Sequence, residues 1–514
     1  MQVVIRYATL AIISLLCASA AAQVEPANTF GLDAGEHAVG FRLLEDDDRS
    51  RTVTGGSRGA VHPRPIRTYL WYPAQASRRS QPVRFGRYAA LADDDVWPSE
   101  IAGELRERLE YSNGPLARSL PAPGFAALLQ RPMRAVENAE PLAGPFPLIV
   151  IGLGLYYESP ITFAATAEYL ASRGFAVATA PLVGTHTAIV RLDVVDLETQ
   201  MRDLEFVIAR SRQFPFVDQE RLGVVGFDQG GMAGVVLAMR NRDVDAFVSL
   251  DSGIQYPHES GLPRSSPHYD PRSLRVPWLH AAVQRNEPAP SAGATSLYDE
   301  AVHADRFWLR IEGLGHADFT SYALVDGRGE ASGYWGPVTP ARAAGHRAVM
   351  EYVRHFFGVY LAASDVSSAL LDQALRQPLP ETGMTLEHRA AAPAPITYDE
   401  VVRKIVRGEG DQAVAELRLL AASEPTHPML TEFSLGRLCI SLLYTWNLPE
   451  QALPLVEFGA DLYPSSARGK VMLGQTYAML GNVPAAIGAY EEALALLPGN
   501  PEITALLERL RDQR

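Results

Sequence analysis

Lysine is almost missing from this chain. Lys404 and Lys470 are the only two, although the basic residues number 46. Schiff-base chemistry, a P-loop lysine and a Ser-Lys dyad are therefore excluded before residue 404. Cysteine is equally scarce, with two in 514 residues. Cys17 lies in the N-terminal apolar stretch and Cys439 stands alone after it, so the chain has no disulfide once that stretch is removed. Paired cysteines and an HExxH run are absent, and neither a metal nor another cofactor is expected. Positive charge is in deficit as well, with 46 basic against 59 acidic residues and a net charge of -13. An acidic chain repels nucleic acid and anionic lipid, so neither is an expected partner.

The residues that are present fit a folded protein, with 47% apolar and 20% charged. Residues 1–22 read as a secretory signal. Arg6 supplies the charge, Ala8 to Ala20 the apolar stretch, and Ala20-Ala21-Ala22 the small-residue cleavage site before Gln23. That stretch is short for a membrane span of ~20 residues, so no span is expected after its removal. Export without a disulfide points to a bacterial periplasm or exterior.

A chain of this length exceeds one ordinary core. From 23 to 365 strands alternate with helices. Arg67–Tyr72, Pro147–Ile151, Phe175–Thr179, Leu222–Gly226, Ala246–Leu250, Val276–His280 and Arg306–Arg310 read as strands. Phe163–Ser172, Val194–Arg212, Gly230–Arg240 and Pro340–Leu361 read as helices. Such alternation predicts an α/β domain, a parallel sheet covered by helices on both faces. Residues 84–134 are mixed and could cover a sheet edge or an active site. Residues 366–397, with Pro378, Pro380, Gly383, Pro393 and Pro395, read as a linker.

Residues 398–514 read as all-α with a repeat. Leu473, Gly474, Tyr477, Ala486, Tyr490, Ala493 and Pro498 match the tetratricopeptide pattern. An earlier copy has Leu435, Gly436, Ala452, Val456, Gly459 and Pro464, with about four extra residues between its helices. A partial first copy ends at Pro425. Three units suit a small solenoid that binds a protein partner or self-associates.

The run Gly226-Phe227-Asp228-Gln229-Gly230 has the form of a nucleophile elbow, with aspartate where serine is usual. Asp251 follows the next strand in Ser249-Leu250-Asp251-Ser252. His316 follows the last strand in Gly315-His316-Ala317-Asp318-Phe319. Nucleophile, acid and histidine in that order define an α/β-hydrolase triad, each member at a strand's carboxyl end. His186 and His280 also fall near strand ends.

On these motifs, with Arg67-Thr68-Tyr69-Leu70-Trp71-Tyr72-Pro73 and Pro147 to Gly154, residues 31–361 resemble the α/β-hydrolases related to dienelactone hydrolase. The bacterial relatives of platelet-activating-factor acetylhydrolase are the most similar. The resemblance implies Asp228 in the nucleophile position, His316 as general base and Asp251 as its orienting acid. It also implies an oxyanion hole from the backbone N–H groups of Leu153 and Gln229. Two positions depart from the family: Ile151 stands where histidine is usual, and Asp228 replaces serine. An aspartate attacks saturated carbon well and ester carbonyls poorly, since the latter would give an anhydride. Haloalkane dehalogenases and epoxide hydrolases use such an Asp-His-acid set, but with tryptophan where this chain has Gln229. Two readings stay open: a hydrolase acting on a small ester-like or carbon-electrophile substrate, and an inactive descendant that binds without turnover.

Overall fold

A computed structural model describes residues 29–55, 60–75, 81–90, 122–155, 158–187, 190–255, 261–284, 296–325, 338–376 and 383–511. The expected signal at 1–22 and much of 84–134 lie outside these residues. The chain divides into two compact units, Met1–Ala392 and Pro393–Arg514.

The first unit is mixed α/β, built on one ten-stranded sheet. Its strands are β1 (Ala38–Gly55), β2 (Ala60–Ala74), β3 (Ala135–Glu137), β4 (Phe146–Gly152), β5 (Ala176–Thr179), β6 (Val217–Phe227), β7 (Ala246–Leu250), β8 (Trp278–Val283), β9 (Arg306–Ile311) and β10 (Met384–Arg389). The order across the sheet is β10-β9-β8-β7-β6-β4-β5-β2-β1-β3. Strands β4 to β9 are mutually parallel, whereas β1, β2 and β10 pair antiparallel with their neighbours β2, β5 and β9. This arrangement is consistent with an α/β-hydrolase-like fold.

The continuous apolar run of β4 is explained by burial on both faces. Ile149 and Ile151 join Val177, Val225, Val248 and Leu309 under the helices Ala164–Ser172 and Pro340–Tyr360. Leu148 and Val150 join Val224, Phe247 and Trp278 under Val194–Ser211 and Gln229–Arg240. Gly174, at φ 96, ends the first of these helices in a conformation that favours glycine.

The expected linker at 366–397 is corrected. Asp365–Arg376 is a helix packed on Pro340–Tyr360, and β10 adds a tenth strand to the sheet. Met384 is buried in the core, His388 stacks on Phe307 at 4.3 Å, and Glu387 pairs with Arg310. The backbone hydrogen bonds of β9's outer edge are satisfied by β10, which a free linker could not do. The unit ends at Ala392, beyond the expected boundary at 365.

The second unit is helical: Tyr398–Val406, Gly410–Ser423, Glu432–Ile440, Pro449–Leu462, Ala467–Met479, Val483–Leu496 and Pro501–Arg511. Pro425, Pro464 and Pro498 each lie two residues past a helix end. A β-carbon on Gly474 would meet the Tyr490 ring at 2.7 Å, so glycine permits the close crossing of those two helices. Where the sequence suggests extra residues between two helices, the chain forms a π-helical turn, Ser441–Thr445, followed by Asn447 at φ 53.

Candidate active site

Strand β6 delivers Asp228 through a strained turn. Asp228 has φ 52 and ψ −119, a region that non-glycine residues rarely adopt. The surrounding glycines make the turn possible. A β-carbon on Gly226 would lie 2.3 Å from the Gly230 carbonyl oxygen, and one on Gly230 would lie 2.1 Å from that of Gly152. No side chain fits either gap. The Ser252 hydroxyl donates to the Asp228 carbonyl at 2.8 Å and holds the turn from β7's side.

The three expected triad members meet. His316 Nδ1 lies 2.6 Å from Asp251 Oδ2, and the Val283 N–H donates to Asp251 Oδ1 at 3.1 Å. The Asp251 side chain is fully buried, while His316 retains 17% and Asp228 26% of their side-chain exposure. Solvent or substrate therefore reaches the nucleophile position and the ring, but not the orienting acid. His316 Nε2 faces Asp228 Oδ1 at 3.9 Å, beyond direct hydrogen-bond reach. The ring stacks on Phe227 at 4.6 Å, which fixes its plane. The turn carrying it is held by Asp318, whose buried carboxylate accepts the Gly315 N–H at 2.8 Å and pairs with Arg342 at 2.8 Å.

The oxyanion donors differ in part from expectation. The Gln229 N–H donates to the Asp228 carboxylate. The second donor to that carboxylate is Leu155, whose N–H reaches Oδ2 at 2.9 Å. Leu153 is buried in the core, and its carbonyl accepts from Gln200 Nε2 at 2.7 Å. Gly154 lies between them. A β-carbon there would sit 2.7 Å from Asp228 Cβ, so the backbone passes the aspartate closely and presents the next N–H. Gly154 was the available signal: the donor follows the close-approach glycine and does not precede it.

Burial pushes the Asp228 carboxyl above its ordinary value, opposed by His316 and by the two backbone N–H groups. His280 is fully buried beside the Ser249 hydroxyl at 2.7 Å, and His186 is exposed. Neither joins the triad. Among the described residues no cluster of His, Cys, Asp and Glu could hold a metal ion. No helix among them is long and apolar enough to cross a membrane.

No family model matches the chain, and no curated protein matches it. Among solved structures, a ferulic acid esterase from Streptomyces cinnamoneus is 24% identical; the alignment covers 70% of this chain and 98% of that one, with a TM-score of 0.48.

Proposed function

We propose that this protein is an exported hydrolase of the dienelactone hydrolase and platelet-activating-factor acetylhydrolase group whose nucleophile is Asp228. The observation that carries the reading is the division of labour within one carboxylate. Oδ2 is held by the Leu155 N–H, and Oδ1 is turned toward His316. In a serine hydrolase the backbone donors receive the substrate's oxygen. Here they already hold the nucleophile's own oxygen, which disfavours attack on an ester carbonyl and suits attack on saturated carbon.

The reaction then has two steps. Oδ1 forms a bond to the substrate carbon as the carbon–leaving-group bond breaks, and the leaving group departs with that electron pair. The product is an alkyl ester of Asp228, its carbonyl oxygen resting on the N–H donors. His316 Nε2 next takes a proton from water, and the resulting hydroxide adds to the Asp228 carboxyl carbon. The N–H donors stabilise the oxyanion, and Asp251 stabilises the imidazolium. Collapse releases an alcohol, which receives its proton from His316, and leaves Asp228 as an acid with one oxygen from water; loss of the remaining proton to solvent restores the carboxylate. The helical unit serves, in this reading, as a tetratricopeptide solenoid that recruits a protein partner or a second copy.

The test is a single turnover in ¹⁸O-labelled water over a panel of alkyl halides, followed by the mass of the Asp228 peptide. Label in that peptide is expected; turnover that leaves it unlabelled and survives Asp228→Ala overturns the mechanism. Esterase activity gained by Asp228→Ser would show intact donors and a working histidine. If no substrate is turned over and Asp228→Ser stays inert, the binding-protein reading prevails.

A further inference from the structure

Among the described residues, three buried amide atoms on either side of the Asp228 loop have no hydrogen-bond partner. They are Gln229 Oε1, Gln229 Nε2 and Gln200 Oε1. Gln229 is 1% exposed and Gln200 3%, so both are shielded from bulk solvent. Their place in the fold is specific. Gln229 directly follows the nucleophile position and gives its backbone N–H to Asp228. Gln200, on the facing helix Val194–Ser211, uses its amide N–H to hold the Leu153 carbonyl. That carbonyl lies 2.7 Å from where a β-carbon on Gly230, the residue after Gln229, would stand.

Leaving a buried polar atom unpaired costs about 1–3 kcal/mol, and native proteins retain few of them. Gln229 begins the helix that follows Asp228, and the Gln200 amide N–H bonds the Leu153 carbonyl of the loop that passes it. Their chemistry defines what would satisfy them. The Gln229 Nε2 group donates, while the two carbonyl oxygens accept. The pair carries no formal charge, so it does not compensate a carboxylate or an ammonium removed from water. A neutral group that both donates and accepts matches it: a hydroxyl or a carboxamide.

We infer that Gln229, with Gln200 of the neighbouring helix, forms a subsite for a neutral hydroxyl or carboxamide of the substrate, adjacent to the carbon attacked by Asp228. The inference rests on Asp228 as nucleophile for its position in the reaction, but not for the unpaired state of the amides. It narrows the substrate class to electrophiles bearing such a group. It also gives the site a means of discrimination, because a ligand lacking the group leaves the amides unpaired in the complex.

Two measurements on the full chain test it. The first is the melting temperature of Gln229→Met, which keeps the volume and removes the amide. If the amide is unpaired, the variant melts at or above the wild-type temperature; a fall of several degrees would show a paired, structural amide and overturn the inference. The second uses a His316→Ala background, in which the alkyl ester accumulates, and reads Asp228 labelling by mass. The labelling rate with 4-bromobutan-1-ol is expected to exceed that with 1-bromobutane by tenfold or more, and Gln229→Met is expected to bring the ratio near one. A ratio that persists in Gln229→Met, or is near one throughout, overturns the subsite. If neither reagent labels Asp228, the nucleophile reading fails, and the subsite is judged by butane-1,4-diol. A rise in melting temperature for wild type but not for Gln229→Met supports it, and equal shifts overturn it.

Discussion

Asp228 is caught between two demands. The proposed attack needs the carboxylate ionised, whereas burial favours the neutral acid and raises its pKa. A carboxyl raised on folding contributes stability only below its unfolded value of about 3.9, and that contribution is lost as pH rises through the folded value. At neutral pH its ionisation therefore works against the fold. Asp228→Asn is expected to abolish turnover yet raise the melting temperature at pH 7, with the gain shrinking as pH falls toward about 4. Thermal melts across that range check the prediction, and a gain unchanged by pH would refute it. That Asp228, Asp251 and His316 lie close together was legible at this scale because elbow, acid and histidine each follow a strand. The donor at Leu155 was not. Leu153 and Leu155 flank the same glycine, and only the path of the backbone past Asp228 Cβ separates them.

Elements position these residues, and β10 shows what a pattern can hide. Of its six residues only Met384 is buried, Leu386 and Glu387 are half-buried and the other three are exposed, so apolar alternation is faint. Pro378, Pro380 and Gly383 before it, and Pro393 and Pro395 after it, mark a linker by composition. Pairing with β9 decides otherwise. The central strands were legible because burial on both faces writes them as uninterrupted apolar runs. A chain ended at 365 is therefore expected to expose the β9 edge and aggregate, whereas one ended at 392 stays monodisperse in light scattering. The helix Pro340–Tyr360 carries a second consequence. His346 is buried behind the catalytic turn, donates from Nδ1 to the Asp318 carbonyl at 2.7 Å, and is pushed down to about 4 by burial. His355, on the same helix, is also pushed down to about 4, by burial and by Arg354. Lowered histidine values stabilise the fold above about pH 6.5 and lose that contribution as pH falls toward 4. Each should add a slope of about 1.4 kcal/mol per pH unit in that window. His346→Asn is expected to remove about one proton's worth of this slope in urea titrations, and an unchanged slope would show that His346 titrates alike in both states.

At the scale of the whole molecule, the four hydrophobic clusters each fall within one unit. Those around Ile149 and Val224 belong to Met1–Ala392, and those around Leu438 and Tyr490 to Pro393–Arg514. Cooperative unfolding follows shared burial, so each unit, with clusters of its own, is expected to unfold in its own transition. Calorimetry should resolve two. Leu455→Ala removes a fully buried side chain from the helical unit and should cost it about 2–5 kcal/mol. The expected result is a lowered transition for that unit, with the other left in place. Asp228→Asn should do the converse, moving only the α/β transition and moving it upward at pH 7. A single transition that shifts with both variants would show that the two units unfold together, and would require stabilising contacts beyond the four clusters.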